Sequence, residues 1–195
     1  MTEVRKDLRD YMFRGLMFES EASQFQRAGI QVGANQSHAE DQLLSEALAD
    51  FGINRRNNAL EMARLFAVLH CFENEVRNLI RETLYEKEGA DWLEKLPIKV
   101  KGHAQTRQKT AFSDSWLEGE KSDLLGFVDF GQLSVIILEK WVHFEAIVPS
   151  QHWLKQRMDE LEKVRNFIAH NRMLLPSEFQ RIYMYVSDWN RVIGL

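Results

Sequence analysis

The 195 residues contain one cysteine, three prolines and ten glycines, and each scarcity removes a class of structure. Cys71 has no second cysteine to pair with, so no disulfide forms within the chain, which suits a reducing cytosol. Its neighbours Leu69 and Phe72 suggest a buried thiol rather than a nucleophile. So few turn-formers favour long helices over many short strands. No run approaches the ~18 uninterrupted apolar residues of a membrane span. The opening stretch MTEVRKDLRDYMFRG is too charged for a signal peptide. The expectation is a soluble, cytoplasmic protein with no membrane association.

Several chemical motifs are also missing. There is no glycine-rich phosphate loop, no G-x-S-x-G elbow and no H-E-x-x-H, and the six histidines are scattered at 38, 70, 103, 143, 152 and 170. Neither a metal nor a cofactor is therefore expected. The acidic DELE at 159–162 reads as a solvated face rather than a metal cage. A net charge of −4 does not mark a nucleic-acid binder. One local segment departs from that balance: KVKGHAQTRQK (99–109) holds four basic residues, a histidine and no acid. It reads either as a solvated helix face or as a segment that tracks phosphates.

What is present is helical rhythm. Hydrophobic residues make up 45% of the chain and charged residues 28%, an ordinary globular balance. A first helix is expected over 2–19, and RAGIQVGANQS (27–37) reads as a connection. Ser37 with Glu40 forms a capping box for a short helix reaching about Phe51. The longest helix should run from about Asn54 to Lys87, with Met62, Phe66, Leu69, Val76, Leu79 and Ile80 as its core face. Pro97 breaks the chain, and a mixed helix over 98–110 carries the basic segment. GQLSVIILEKW (131–141) reads as a buried helix, although the β-branched run Val135–Ile137 leaves a strand possible. Ser150 should cap a helix over 151–174, and Pro176, Ser177 and Gln180 mark a stop and a restart into a last helix over 177–193. The five tryptophans are spread out and suit core or interface anchoring. The fold class expected is all-α, a helical bundle with additional N-terminal helices, divided into an extension at 1–54 and a domain at 55–195.

Two polar features interrupt this rhythm. His70, Glu73, Asn74 and Arg77 lie within about one face of the long helix, with Glu73 and Arg77 in the favourable acid-first i, i+4 order. They read as an intrahelical ion pair or as support for a site. The second is VRNFIAHNR (164–172), where Arg165, Asn166, His170 and Arg172 break an apolar helix just before a proline stop. Arg165 could pair with Glu162 or Glu160, and His170 could simply complement a helix C-terminus.

The core RNFIAH (165–170) resembles the signature of the HEPN superfamily, an arginine and a histidine with four to six residues between them, commonly with a polar residue directly after the arginine. FENEVRNLIRETLYEKEGADWLEKLP (72–97) looks like the opening helix and turn of the HEPN branch found in bacterial defence proteins and RNA-surveillance endonucleases. LLGFVDFGQLSVIILEKWVHF (124–144) looks like its middle section. The resemblance covers about 55–195 and implies a metal-independent endoribonuclease, often a homodimer with two motifs facing across the interface. HEPN domains act as toxins and antiviral effectors, sometimes with an antitoxin or another defence-system partner protein. Others have lost catalysis and bind a nucleotide or a partner protein. A plain helical interaction protein is the remaining alternative.

The resemblance implies that Arg165, Asn166 and His170 are catalytic. Asn166 and His170 share a face at i, i+4, whereas Arg165 and His170 are about 140° apart on an ideal helix. Either Asn166 orients His170 while Arg165 reaches around, or the helix ends near Asn171. Arg172, Lys163 and Arg157 are expected RNA contacts, because phosphate contacts tolerate looser geometry than catalysis. Glu73 and Arg77 are expected to support the site.

Overall fold

The computed structural model describes residues 43–113 and 122–194. The expected helix over 2–19, the connection at 27–37, the Ser37–Glu40 box and Trp116 lie outside them. Residues 43–47 are helical. The chain divides into two compact units, Met1–Arg56 and Asn57–Leu195, and the second holds the helical bundle.

Among the described residues every regular element is helical and no strand occurs. Helix α1 (Ile53–Glu88) is about 54 Å long at 1.5 Å per residue. Leu65, Leu69, Phe72, Val76, Ile80 and Leu84 recur along it at three- and four-residue steps and are buried. Gly89, at φ 82° and ψ −168°, follows its end in an extended positive-φ conformation that glycine alone adopts readily. A short 3₁₀ turn (Ala90–Lys95) then buries Trp92, and Leu96–Pro97 lead into α2 (Ile98–Ser113).

A second 3₁₀ turn (Leu124–Phe127) packs against α2. It is opened by Asp123, whose Oδ1 accepts from the Leu125 amide at 3.1 Å. Helix α3 (Phe130–Glu139) is the apolar centre: Phe130, Leu133, Ser134, Ile136 and Ile137 are buried. The Val135–Ile137 run is thus helical, and β-propensity yields to burial on several sides. After a turn at Trp141–His143, helix α4 (Gln151–Ala169) packs on α3. Ser150 caps α4, its Oγ accepting from the Trp153 amide at 3.1 Å. Helix α5 (Pro176–Ile193) completes the bundle, with Trp189 stacked on Trp153 and edge-on to Phe72.

Four expectations need correction. Cys71 is exposed, because it falls on the outer side of α1 between the inward Leu69 and Phe72. Phe66 is 45% exposed rather than core. Helix α4 stops at Ala169, five residues short of 174. The last helix opens at Pro176, not from a Ser177 cap: Pro176 takes the first helical position, and Glu178 Oε2 accepts from the Leu175 amide at 2.8 Å. No helix among the described residues is long and apolar enough to cross a membrane.

Candidate functional site

The polar stripe of α1 becomes one wall of a cleft of about 340 Å3, and Arg165 of α4 reaches into the same cleft. Glu73 joins the two helices. It is 9% exposed, its Oε1 accepts from Arg77 Nη2, and its Oε2 lies 3.8 Å from Arg165 Nε. The latter spacing is an ion pair but too long for a hydrogen bond, so the buried Arg165 Nε has no hydrogen-bond partner. Arg77 is held more fully: Nε donates to the Leu125 carbonyl at 3.3 Å and Nη2 to the Val128 carbonyl at 3.2 Å. The guanidinium therefore ties α1 to both ends of the turn before α3.

The stripe runs on beyond Arg77. Arg81 pairs with Asp123 at 2.5 Å and donates to Asn78 Oδ1 at 2.8 Å, and all three residues line the cleft. This extension was readable, since Asn78 and Arg81 continue the three- and four-residue spacing from His70 and Asn74. Three guanidiniums (Arg77, Arg81, Arg165) face two carboxylates (Glu73, Asp123) in the cleft wall, a net positive balance. A cleft of that sign, on a protein of net negative charge, suits an anionic ligand.

His170 does not enter the cleft. It is exposed and occupies the residue that closes α4. The closure is a Schellman motif: the Arg172 amide donates to the Phe167 carbonyl at 3.2 Å and the Asn171 amide to the Ile168 carbonyl at 2.9 Å. Asn171 supplies the left-handed residue, at φ 56°. Asparagine tolerates that conformation better than most side chains. Arg172 lies over the Phe167 ring at 5.5 Å, the side-chain contact that accompanies such a terminus. The asparagine after His170 was the available signal for this geometry.

Of the other expected residues, Asn166 is exposed, and its Oδ1 accepts from Arg165 Nη1 at 3.4 Å. Its side chain thus goes to Arg165, while its backbone carbonyl accepts from the His170 amide at 3.1 Å. Arg165 pairs with Glu73 rather than with Glu162 or Glu160. Glu160 instead accepts from the buried Tyr185 hydroxyl, and that hydrogen bond, with burial, pushes the phenol above its usual range. Arg157 is stacked over the Tyr185 ring at 4.1 Å, which commits one guanidinium face to the α4–α5 contact. Lys163 is exposed. In the basic segment, Lys101 pairs with Glu94, and Arg107 pairs with Asp129 and donates to the Phe127 carbonyl.

A family model described as Swt1-like HEPN matches residues 67–194, and the chain belongs to that family. No curated protein and no solved structure matches it.

Proposed function

We propose that this protein is an endoribonuclease of the HEPN kind, cutting RNA by attack of a ribose 2′-oxygen on the adjacent phosphate without a metal. One observation carries the reading. Glu73 steadies Arg165 at the mouth of a positively balanced cleft, while the same helix ends five residues on with His170 open to solvent.

The chemistry needs three things. A base takes the 2′-hydroxyl proton, an acid supplies a proton to the departing 5′-oxygen, and positive charge offsets the crowded phosphorane. Histidine titrates nearer neutrality than any other side chain and serves as base or acid. Arginine stays charged, and its planar fork matches two phosphate oxygens. The 2′-oxygen bonds to phosphorus as the 5′-oxygen leaves, giving a 2′,3′-cyclic phosphate and a 5′-hydroxyl. One histidine per chain does not fill both proton roles at once. A homodimer with two RNFIAH termini meeting across a twofold axis supplies the second. The HEPN resemblance supports, as part of this proposal, a role as a toxin or antiviral effector in the cytoplasm, held in check by a partner protein.

The test is cleavage of a labelled RNA pool in EDTA by wild type, His170→Ala and Arg165→Ala, matched for folding by circular dichroism. Cleavage that leaves cyclic phosphate ends and vanishes in both variants is the expected result. Cleavage indifferent to both substitutions would refute the assignment.

A second reading has its own observation. The cleft holds Arg165 and His70 but not His170, which suits a non-catalytic module that binds a nucleotide. Under it, wild type binds but does not cleave, and His170→Ala changes nothing.

A further inference from the structure

Phe66 is out of place by the logic of its own helix. The apolar rhythm of α1 assigns it to the core, yet it is 45% exposed and lines the cleft. Its ring is stacked with that of His70, 6.4 Å between centroids and 28° between planes. Among the described residues, no packing role accounts for an exposed aromatic pair beside three arginines.

The orientation of His70 is set by its neighbours. Arg77 Nη1 donates to Asn74 Oδ1 at 3.3 Å, so the other end of that amide must face His70. Asn74 Nδ2 duly donates to the His70 carbonyl at 2.9 Å and lies 3.1 Å from the ring Nε2. Nε2 is therefore the acceptor, and the ring proton sits on Nδ1. With Nε2 occupied, the imidazole is poorly placed to take a proton from a ribose. What it offers is a flat face, braced by Phe66, and an Nδ1–H donor.

Size and charge narrow the occupant. At about 340 Å3 the cleft lies at the small end of ligand pockets, roughly 300–1,000 Å3, enough for one nucleotide and too little for a helix of paired strands. Sequence-tolerant recognition of unpaired RNA stacks bases on aromatic side chains beside a cationic track. We propose that this cleft takes one unpaired nucleotide of the RNA, its base stacked on the Phe66–His70 pair and its phosphate at Arg165. The inference rests on RNA being the substrate, and it makes Phe66 and His70 the residues that select single-stranded over duplex RNA. His70 is a positioning residue here, and proton transfer stays with His170.

The experiment is fluorescence anisotropy with a labelled octamer of 2′-O-methyl ribonucleotides, which has no free 2′-hydroxyl and so is not cut by this route. The octamer is offered to the full chain alone and annealed to its complement. Wild type should bind the single strand more tightly than the duplex. Phe66→Ala should weaken that binding about five-fold or more, since stacking contributes ~1–3 kcal/mol per base. Phe66→Trp should keep it, and Arg165→Gln should weaken it and flatten its salt dependence. Phe66 is exposed, so its truncation leaves the core intact, checked by circular dichroism. Equal binding by Phe66→Ala and wild type, equal binding of duplex and single strand, or no octamer binding each overturns the proposal. The two readings fail separately. Octamer binding that depends on Phe66, with no cleavage of long RNA in EDTA, removes the ribonuclease and keeps the cleft. Cleavage lost in His170→Ala, with binding indifferent to Phe66, does the reverse.

Discussion

Glu73 stands between two arginines from different helices: its Oε1 accepts from Arg77, and its Oε2 lies 3.8 Å from Arg165 Nε. The carboxylate is buried, while the Arg165 side chain keeps 39% of its surface. That asymmetry predicts an asymmetric response. Glu73→Gln removes the charge that two partly buried guanidiniums share and should cost about 3 kcal/mol, the scale of breaking a buried pair from one side. Arg165→Ala removes a half-exposed partner and should cost under about 1 kcal/mol. Urea titration of both variants measures the difference. Equal midpoints would show that Arg77 is held by the Leu125 and Val128 carbonyls alone.

The terminus that carries His170 depends on a left-handed asparagine. Asn171→Gly removes the steric conflict at φ 56° and should leave stability unchanged or slightly raised. Asn171→Val places a β-branched side chain there, at a cost of roughly 1–2 kcal/mol. If His170 works from the position this motif gives it, the valine variant should also cleave more slowly while binding RNA as before. Thermal melts and a single-turnover cleavage assay check the two halves. A valine variant with wild-type cleavage would mean that the position of His170 tolerates a frayed helix end.

Acid sensitivity should come from the far end of α1. Burial opposes ionisation of Glu88, but Lys140 Nζ at 2.8 Å and His143 Nε2 at 3.1 Å outweigh it, so its carboxyl titrates below the ordinary value of 4.5. A depressed carboxyl adds stability that is complete above its unfolded value and disappears as pH falls through its folded value. Wild type should therefore exceed Glu88→Gln in urea midpoint near neutrality, and the gap should close as pH drops below about 4.5. A gap that held constant down to pH 2 would assign the effect to packing instead.

How much of this was legible depends on the range of each interaction. Helix α1, the Ser150 cap and the buried run in α3 are local patterns of spacing and capping, and the residues declare them. The His70–Arg77 stripe was equally visible, because residues three and four apart on a helix must be neighbours. The pairing of Arg165 with Glu73 was not, since α4 carries two nearer carboxylates and only the packed bundle turns the arginine away from them. Cys71 was misplaced because its apolar neighbours Leu69 and Phe72 face inward while it lies on the outer side of α1, and Phe66 for another reason. Periodicity identifies an apolar face without saying where along the helix that face loses its partner, and around Phe66 a cleft replaces the core. The stacking of one Arg157 guanidinium face on Tyr185 was equally hidden, since it joins two helices.

The dimer proposed above makes a prediction of its own. If two RNFIAH termini share one site and each lends its histidine, a mixed dimer of wild type and His170→Ala holds one histidine and lacks either the base or the acid. His170→Ala alone should lose cleavage by about 10²-fold or more, the scale of removing a group that moves a proton. Titrating it into wild type at concentrations that allow exchange should lower cleavage as the square of the wild-type fraction. Loss that instead follows the wild-type fraction in direct proportion, while sedimentation shows mixed dimers, would mean that each chain carries its own complete site. In that case one chain must supply both the base and the acid.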